Sequence, residues 1–320
     1  MSEERTGPTA GDGPGEVGRD IRAEGDRQEW LAARFEEERG QLRAVAYRML
    51  GSLSEADDAV QEAWLRLSRS GAHGVENLGG WLTTVVGRVC LDQLRTRRAR
   101  REDPLEPAVY VPEPVIGPTA GVDPEQEALL ADSVGLALLV VLEALSPAER
   151  LAFVLHDMFA VPFDEIAPIV GRTPTAARQL ASRARRRVQD TAPPLDTDPA
   201  RQHEVVDAFL AASRAGDFEG LLAVLDPEVV LRADGGTAAR GATKLVRGAA
   251  AVVEQALFYA QFVPAGRPAL VNGAPGLVTL RNGRPFSVMG FTVAHGKIVQ
   301  IDVLADPVRL ARLDLSGLEG

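Results

Sequence analysis

Hydrophobic residues recur mostly at helical spacing through the first 190 residues of the chain. The clearest case is the segment WLTTVVGRVCLDQLR, which begins at Trp81. Its apolar positions follow the i, i+3, i+4, i+7 pattern that lines one face of an α-helix. These positions are Leu82, Val85, Val86 and Val89. We therefore expect one long helix over residues 81–101, with this face buried against other helices.

Start and stop signals divide the preceding segment into two further helices. An apolar stripe that begins at Leu31 predicts a helix ending at Gly51, because a residue without a Cβ suits a helix C-terminus. Ser54 and Asp57 then have the spacing of a capping box. We expect the next helix to start at Ser54.

A second group of helices is predicted over residues 125–188. One helix covers residues 125–145. Ser146, Pro147 and Glu149 form a stronger start signal, since serine caps a helix, proline fits its first turn and glutamate closes the capping box. Two helices follow over residues 161–170 and 173–188, and Thr173 and Pro174 start the second of them. The short turn between them predicts a helix-turn-helix.

After Pro193 the pattern changes. Helices are predicted over residues 204–215, 217–225 and 248–260, and a short β-rich run over residues 228–232. Four strands joined by Gly-containing turns are predicted over residues 268–273, 276–283, 285–293 and 297–304. Residues 198–310 therefore form an α+β domain, followed by a tail over residues 311–320.

Two segments lack a core-forming pattern. Residues 1–26 are rich in Gly, Pro and acidic residues, which predicts a disordered acidic tail. Residues 103–124 are rich in Pro and Gly, which predicts an extended linker. Within the linker, YVPEPVIGP carries apolar side chains that a free spacer would avoid: Tyr110, Val111, Val115 and Ile116. We expect this part of the linker to dock on another part of the protein.

Composition and charge limit the possible functions. The net charge of −10 and the pI near 5.1 argue against non-specific coating of nucleic acid, because the field of the whole molecule repels phosphate. The single cysteine, Cys90, allows no intrachain disulfide and fits a reducing compartment. The sequence has no metal-ligand cluster, no signal peptide and no apolar run near the ~20 residues of a membrane span. We expect a cytoplasmic protein without cofactor, metal or membrane partner.

Local cationic surfaces point to nucleic acid. Thr84, Arg88, Arg95 and Arg98 project from the polar face of the 81–101 helix, spaced one or two turns apart. Taken alone, they are explained equally well as a solvated helix end that the helix dipole favours. In the helix-turn-helix, Arg178 and Gln179 lie on the exposed side of the second helix, and these side chains suit guanine and adenine edges in a major groove.

These segments resemble the extracytoplasmic-function (ECF) sigma factors of RNA polymerase. SEADDAVQEAWLRL, a Gly-rich loop and WLTTVVGRVCLDQLR are similar to the second conserved region of that family. The resemblance implies that residues 27–102 bind the β′ clamp helices of core RNA polymerase and the −10 promoter element. The implied polymerase-binding residues are Asp57, Asp58, Gln61 and Leu65. The implied −10 residues are Asn77, Arg88, Arg95 and Arg98.

The helix-turn-helix segment resembles the fourth sigma region. LSPAERLAFVLHDMFAVPFDEIA and RQLASRARRRV carry this similarity, which implies that residues 125–192 read the −35 element of promoter DNA and contact the polymerase β flap. The implied −35 residues are Thr175, Arg178, Gln179, Ser182, Arg183 and Arg186.

The C-terminal part resembles the SnoaL-like cone, a curved sheet wrapped by helices around a pocket. A SigJ-like subgroup of sigma factors carries this domain, together with a YVPEPV-like linker, an Asp-Gly-Gly-Gly run and an Asn-Pro-Asp-Lys-Leu tail. The last two motifs are only partly kept, as DGGT from residue 234 and DPVRL from residue 306. The resemblance implies a regulatory interface formed by Tyr110, Pro112, Glu113, Pro114, Asp234, Gly235, Gly236, Asp306 and Leu310. Whether the pocket binds a small-molecule ligand stays open.

Two alternatives compete with a sigma factor. An enzyme would need an acid or base in the C-terminal pocket, and Asp234, His295 and Asp302 are the only candidates. Turn positions for the first two and a solvent-facing position for Asp302 are the favoured interpretations. A regulator with one helix-turn-helix and a ligand-sensing domain leaves the 81–101 helix unexplained. We therefore predict a multidomain, non-enzymatic sigma factor, in which two all-α DNA-binding domains precede an α+β SnoaL-like domain that controls them.

Overall fold

The computed structural model describes residues 14–70, 77–100, 109–119, 135–191, 196, 198–236, 243–261 and 266–318, with residues 14–27 described by their backbone. The first helical group comprises α1 (Pro14–Leu50), α2 (Leu53–Ser70) and α3 (Leu78–Arg100). The apolar faces predicted for these helices are buried together. Gly51 ends α1 in the left-handed conformation, with φ of 69°, as its position predicted.

Two of the predicted starts in this group are corrected. Helix α1 begins at Pro14, so the backbone of residues 14–26 is helical where the sequence predicted disorder; residues 1–13 lie outside the described residues. Proline fits a first helical turn, and the arginines, glutamates and Ala23 that follow favour a helix more than the three glycines among them disfavour it. Helix α2 begins at Leu53, one residue early, because the hydroxyl of Ser52 accepts from the backbone N–H of Glu55 at 3.4 Å. Asp57, which the sequence predicted would close the capping box, instead forms an ion pair with Arg43.

The second helical group comprises α4 (Leu136–Glu143), α5 (Pro147–Phe153), α6 (Phe163–Val170) and α7 (Pro174–Thr191). A π-helical turn, Val154–Met158, continues α5. The predicted capping box at Ser146 and Glu149 is confirmed, and α7 starts at Pro174 as predicted. The N-terminal part of the helix predicted from residue 125 lies outside the described residues. Helices α6 and α7 form the predicted helix-turn-helix.

The third unit combines helices with one sheet. Its helices are α8 (Pro199–Ala215), α9 (Phe218–Val224), α10 (Ala249–Ala260) and α11 (Pro307–Leu310), followed by a 3₁₀ turn, Ser316–Leu318. Its strands are β2 (Leu225–Asp234), β3 (Lys244–Arg247), β4 (Arg267–Val271), β5 (Ala274–Arg281), β6 (Arg284–Ala294) and β7 (Lys297–Leu304). The α+β prediction is therefore confirmed, with β3 as an additional strand.

The linker contributes a strand to this sheet, which the sequence did not predict. Strand β1 (Ile116–Gly117) pairs antiparallel with β4, and the sheet order is β1-β4-β5-β6-β7-β2-β3. Strands β2 and β7 are parallel, and the other neighbours are antiparallel. The linker therefore closes one edge of the sheet and covers backbone groups that would otherwise be unpaired.

The two faces of the sheet belong to different cores. Phe291 of β6 packs on Phe209 of α8, with ring centroids 5.4 Å apart. Phe291 and its cross-strand neighbour Ile301 lie on the same face of the sheet, and helices α8 to α10 cover this face. The opposite face turns toward α4, where a Cβ added to Gly290 would lie 3.0 Å from Leu136. The first helix of the second group therefore covers the outside of the C-terminal sheet.

One continuous hydrophobic core joins the two helical groups to this outer face. Helix α3 packs on α5 and α6. A Cβ on Gly87 of α3 would lie 3.3 Å from Leu151 and 3.4 Å from Leu155, so the glycine allows these helices to approach closely. The described parts of the three units are thus packed together.

The capping box gives a direct test of the helix assignments. Replacing Ser146 with Ala should lower the free energy of unfolding by about 1 kcal/mol, because the backbone N–H of Glu149 loses its acceptor. Ser54→Ala is the matched control and should change it by less than about 0.5 kcal/mol, since Ser54 is exposed and its hydroxyl bonds to the Ser52 hydroxyl at 3.1 Å, not to a backbone N–H. Urea unfolding of the full chain measures both. Equal losses would contradict the helix start at Leu53.

Candidate DNA-binding and regulatory interfaces

The predicted polymerase-binding residues share the exposed side of α2. Asp57, Asp58, Gln61 and Leu65 are all exposed. Leu65 is an apolar side chain with 37% of its surface accessible, about two turns along α2 from the carboxylates of Asp57 and Asp58. Asp58, Gln61 and Leu65 follow i, i+3, i+7 spacing and so lie on one stripe. This stripe combines apolar and acidic groups and can bind a protein surface of mixed apolar and basic character.

The four predicted −10 residues occupy three different environments. Asn77 precedes α3, and its side-chain oxygen accepts from the backbone N–H of Gly80 at 3.0 Å, which is a capping role. Arg88 and Arg95 are exposed along α3. Arg98 instead donates to the backbone oxygen of Leu145 at 3.0 Å, across the contact between the two helical groups. All four are therefore exposed on one helix or at its start, and Arg98 also joins two domains.

The predicted −35 residues lie on α7 and turn away from the core. Five of them are exposed and Ser182 is half-buried; the exposed five are Thr175, Arg178, Gln179, Arg183 and Arg186. The guanidinium of Arg178 lies over the ring of Phe163, 5.2 Å from its centroid. Arg183 and Arg187 form ion pairs with Glu149. Helix α7 thus presents a cationic surface of the kind that enters a major groove, and part of its charge is paired within the domain.

The linker is held by backbone hydrogen bonds on both sides. The N–H of Glu113 donates to the oxygen of Gly51 at 2.8 Å, and the Tyr47 hydroxyl donates to the oxygen of Glu113 at 2.6 Å. These bonds attach the linker to the end of α1. Val111 and Val115, two residues away on either side, bond to the C-terminal domain instead. The linker therefore lies between the first helical group and the sheet.

An aspartate and an arginine clamp the peptide groups of Val111. Asp234 accepts from the N–H of Val111 at 3.1 Å and from Arg309 at 2.8 Å. Arg309 also donates to the oxygen of Val111, lies 3.8 Å from the carboxylate of Glu113 and stacks 4.6 Å above the ring of Tyr110. Burial raises the pKa of Tyr110 to about 12, which Arg309 partly opposes. Asp234 and Arg309 thus hold the linker at three consecutive contact points, Tyr110, Val111 and Glu113.

The remaining predicted regulatory residues support this clamp. Gly235, Pro112, Pro114 and Leu310 are buried. The backbone N–H of Gly236 donates to Asp234 at 3.1 Å, and a Cβ at this glycine would collide with Asp306. Asp306 in turn caps α11 through the N–H of Val308. The two partly kept motifs therefore meet, and Asp234 and Arg309 attach them to the linker.

Sequence reasoning missed two residues of this interface. Asn272 is 3% exposed; its oxygen accepts from Val115 at 3.1 Å, and its amide donates to the Tyr47 hydroxyl at 3.1 Å. Asn272 thus touches the linker, the first helical group and the sheet. The Asn-Gly pair at residues 272 and 273 predicts a turn with positive φ, and the structure has that turn. The pair does not predict that Asn272 bridges two domains. Arg309 lies inside the DPVRL motif, and its charge was the one sequence feature that could have suggested an ion pair at this position.

Family models match both helical groups. Sigma-70 region 2 matches residues 34–100, and Sigma-70, region 4 matches residues 135–188. The chain is 40% identical over 290 residues to the ECF RNA polymerase sigma factor SigJ of Mycobacterium tuberculosis (strain ATCC 25618 / H37Rv), a match that covers 85% of this chain and 91% of that protein. The chain belongs to the ECF sigma factors.

Further comparisons agree with this family. The chain is 34% identical over 291 residues to the probable ECF RNA polymerase sigma factor SigI of M. tuberculosis (strain CDC 1551 / Oshkosh), which covers 90% of this chain and 98% of the relative. The crystal structure of M. tuberculosis SigJ superposes with a TM-score of 0.72 at 37% identity and covers 89% of this chain and 99% of that one. The similarity to SigJ thus extends beyond regions 2 and 4 into the third unit.

This ECF sigma factor is an alternative sigma factor that binds core RNA polymerase and directs transcription initiation, and it is not an enzyme. Among the enzyme candidates, His295 has φ of 53° at a strand turn, as predicted. The solvent-facing position predicted for Asp302 is wrong. Asp302 is 1% exposed, burial raises its pKa, and it pairs with Arg232 at 3.3 Å across the parallel strands. No helix in the described parts of the sigma factor has the length and apolarity to cross a membrane.

The clamp predicts how the docked linker responds to mutation. In Asp234→Ala, the N–H of Val111 and the guanidinium of Arg309 both lose an acceptor. We expect the amide hydrogens of residues 109–117 to exchange about tenfold faster, which corresponds to about 1.4 kcal/mol of local stability. Asp207→Ala, at an exposed position on α8, is the control and should leave this exchange unchanged. Protection of Val111 that survives the loss of Asp234 would contradict the clamp.

Proposed function

We propose that this sigma factor is kept inactive in a closed form, in which the C-terminal domain holds regions 2 and 4 together, and that reading a promoter requires this form to open. The observation that carries the proposal is the direct packing of α3 on α5 and α6. The docked linker and the position of α4 on the outer face of the sheet stabilise the same arrangement.

The dimensions of a promoter support this proposal. The −35 and −10 elements are named for positions about 25 base pairs apart, which is about 85 Å at about 3.4 Å per base pair. In the closed form, α3 packs on α6, which packs on α7. Packed helix axes lie about 8–10 Å apart, so α3 and α7 are roughly 20 Å apart in this arrangement. The two DNA-reading helices cannot span both elements until regions 2 and 4 separate.

Contacts between the domains also occupy one residue with a proposed role in DNA binding, Arg98. We assign Arg98 to the −10 element, yet its guanidinium is bonded to Leu145 of region 4. Arg150 of region 4 donates to the oxygen of Met49 at 2.8 Å, at the C-terminal end of α1. Opening the closed form would break both bonds and free Arg98 for a phosphate.

The remaining assignments follow from exposure and charge. The stripe on α2 binds the β′ clamp helices, the exposed residues of α3 bind the −10 element, and α7 reads the −35 element while region 4 contacts the β flap. Because these partners are RNA polymerase and promoter DNA, the protein acts in the cytoplasm. The C-terminal domain acts through the linker and does not contact DNA in this scheme.

Gly87→Leu should open the protein. A leucine side chain cannot fit between α3 and Leu151, whereas replacing a mid-helix glycine by leucine favours α3 itself by up to about 1 kcal/mol. We expect a longer distance between spin labels on Ser68 and Gln189, both exposed, and higher run-off transcription with core polymerase. Unchanged helix content by circular dichroism shows that both domains remain folded.

Gly40→Leu is the matched control for opening. Gly40 also lies inside a helix, and a Cβ there meets nothing within 4 Å, so neither the label distance nor transcription should change. Asn272→Ala opens the protein by a second route, because it removes the bridge between Tyr47 and Val115. Transcription that stays constant or falls while the label distance increases in both opening variants would refute the proposal.

The stripe on α2 should be required for binding to the polymerase. Asp58→Arg combined with Leu65→Asp reverses one charge and removes the exposed apolar side chain, and we expect at least about tenfold weaker binding to core polymerase. Helix content should not change, since both residues are exposed. Asp207→Asn changes the net charge by the same amount at a remote site and should bind normally. Undiminished capture of core polymerase by the double variant would place the contact elsewhere.

The two DNA-reading helices should differ in what their arginines recognise. Arg178→Ala should cost about 1–3 kcal/mol of promoter affinity and relax the preference at one −35 position, as expected for a bidentate contact to a base. Arg88→Ala should weaken binding equally on all sequences and reduce the salt slope by about one, as expected for a phosphate contact. Binding titrations with opened protein at several salt concentrations measure both. Identical behaviour of the two variants would contradict this division.

A further inference from the structure

A cavity of about 320 Å³ lies where four parts of the chain meet. Region 2 contributes Arg97 and Arg98 to its wall, region 4 contributes Arg150, and the C-terminal tail contributes Arg309 and Arg312. The linker lines it as well, through two residues already described in the clamp. The cavity therefore exists only when the linker is docked and regions 2 and 4 are closed.

The wall of this cavity carries more positive than negative groups. Its five arginines face three carboxylates, those of Glu55, Glu113 and Glu143. Glu55 pairs with Arg97, and Glu143 pairs with Arg150 at 2.7 and 2.9 Å. Arg309 is neutralised by Asp234, which lies against it, and is 3.8 Å from Glu113. Three of the five guanidiniums thus have carboxylate partners.

The other two arginines have none among the described residues. Arg98 donates to a backbone oxygen and Arg312 is exposed at the edge of the cavity; neither forms an ion pair within the described ranges. Arg150, although it is paired with Glu143, adds one unused donor, its Nε. Its side chain is 3% exposed, and its Nε has no hydrogen-bond acceptor. A buried N–H without an acceptor costs about 1–3 kcal/mol, so an acceptor placed in the cavity would be favoured.

We propose that this cavity binds a small organic anion with two or more phosphate or carboxylate groups. Its volume lies at the lower end of the about 300–1,000 Å³ of small-molecule sites, which excludes duplex DNA and admits a compact metabolite. Guanidinium groups match phosphate and carboxylate oxygens in forked pairs. Arg98 and Arg312 supply the charge, and Arg150 supplies a donor from the buried side.

Binding at this site would stabilise the closed form. A ligand that binds only one of two states shifts the equilibrium toward it by RT ln(1 + [L]/Kd). Since residues of region 2, region 4, the linker and the tail build the cavity together, the open form lacks the site. The anion would therefore act as a co-repressor, and this step rests on the closed and open forms proposed above.

Pyrophosphate and citrate serve as probes, each titrated into the full chain by calorimetry at constant ionic strength. We expect saturable binding of one or both, with the one that binds showing whether the natural ligand carries phosphate or carboxylate groups. Arg312→Gln and Arg98→Gln should weaken binding at least tenfold. Arg247→Gln, at an exposed position on β3 outside the cavity, is the control and should bind like the parent. The absence of saturable binding, or an equal loss in Arg247→Gln, would overturn the proposal.

Gly87→Leu separates this proposal from the proposed function. It should lose the bound probe if the cavity needs the closed form, and full binding by a variant shown to be open would overturn the inference. Probe binding to the parent together with unchanged transcription in Gly87→Leu would leave the site standing and refute the closed inactive form. Higher transcription in Gly87→Leu without probe binding to the parent would support the closed inactive form and refute the anion site.

Discussion

The arrangement depends on the need of a buried linker to satisfy its backbone groups. Buried N–H and C=O groups require partners, and here they find them in two different domains. Glu113 bonds to the end of α1, whereas Val111 and Val115 bond to the C-terminal domain. The prolines between them remove two N–H donors that would otherwise also need acceptors. Alternation of proline with other residues thus allows an extended segment to be buried between two surfaces.

The same contacts make the closed form easy to regulate. Each backbone bond contributes about 1 kcal/mol net, while fixing one residue of backbone costs about 1–2 kcal/mol. Hydrogen bonding and ordering of the linker therefore nearly cancel, and the burial of apolar side chains such as Val111 and Ile116 decides whether it docks. An equilibrium balanced in this way can be moved by a ligand or a partner that binds one state by a few kcal/mol. Such a balance suits a sigma factor whose use depends on conditions.

Arginine placement separates surfaces for DNA from contacts between domains. The protein as a whole is acidic, with a net charge of −10, so its cationic groups act only where they cluster. On α7 they face outward, and some are paired with Glu149. At the junction, Arg98, Arg150 and Arg309 instead bind backbone oxygens of other domains. Guanidinium groups suit both tasks, since several donors in one plane can join two chain segments at once.

The sequence by itself determined the local elements and the family, whereas the tertiary structure decided how the domains meet. Helical periodicity, the capping box at Ser146 and the turn residues are local signals, so they predicted the helical half, the α+β domain and the exposed faces of α2 and α7. The apolar linker predicted docking without naming its partners. Asn272, the strand at Ile116 and the packing at Gly87 could not be predicted, because each depends on residues that are distant in the chain and meet only in the folded protein. Single-residue patterns carry no information about such partners, and those partners are what joins the three domains.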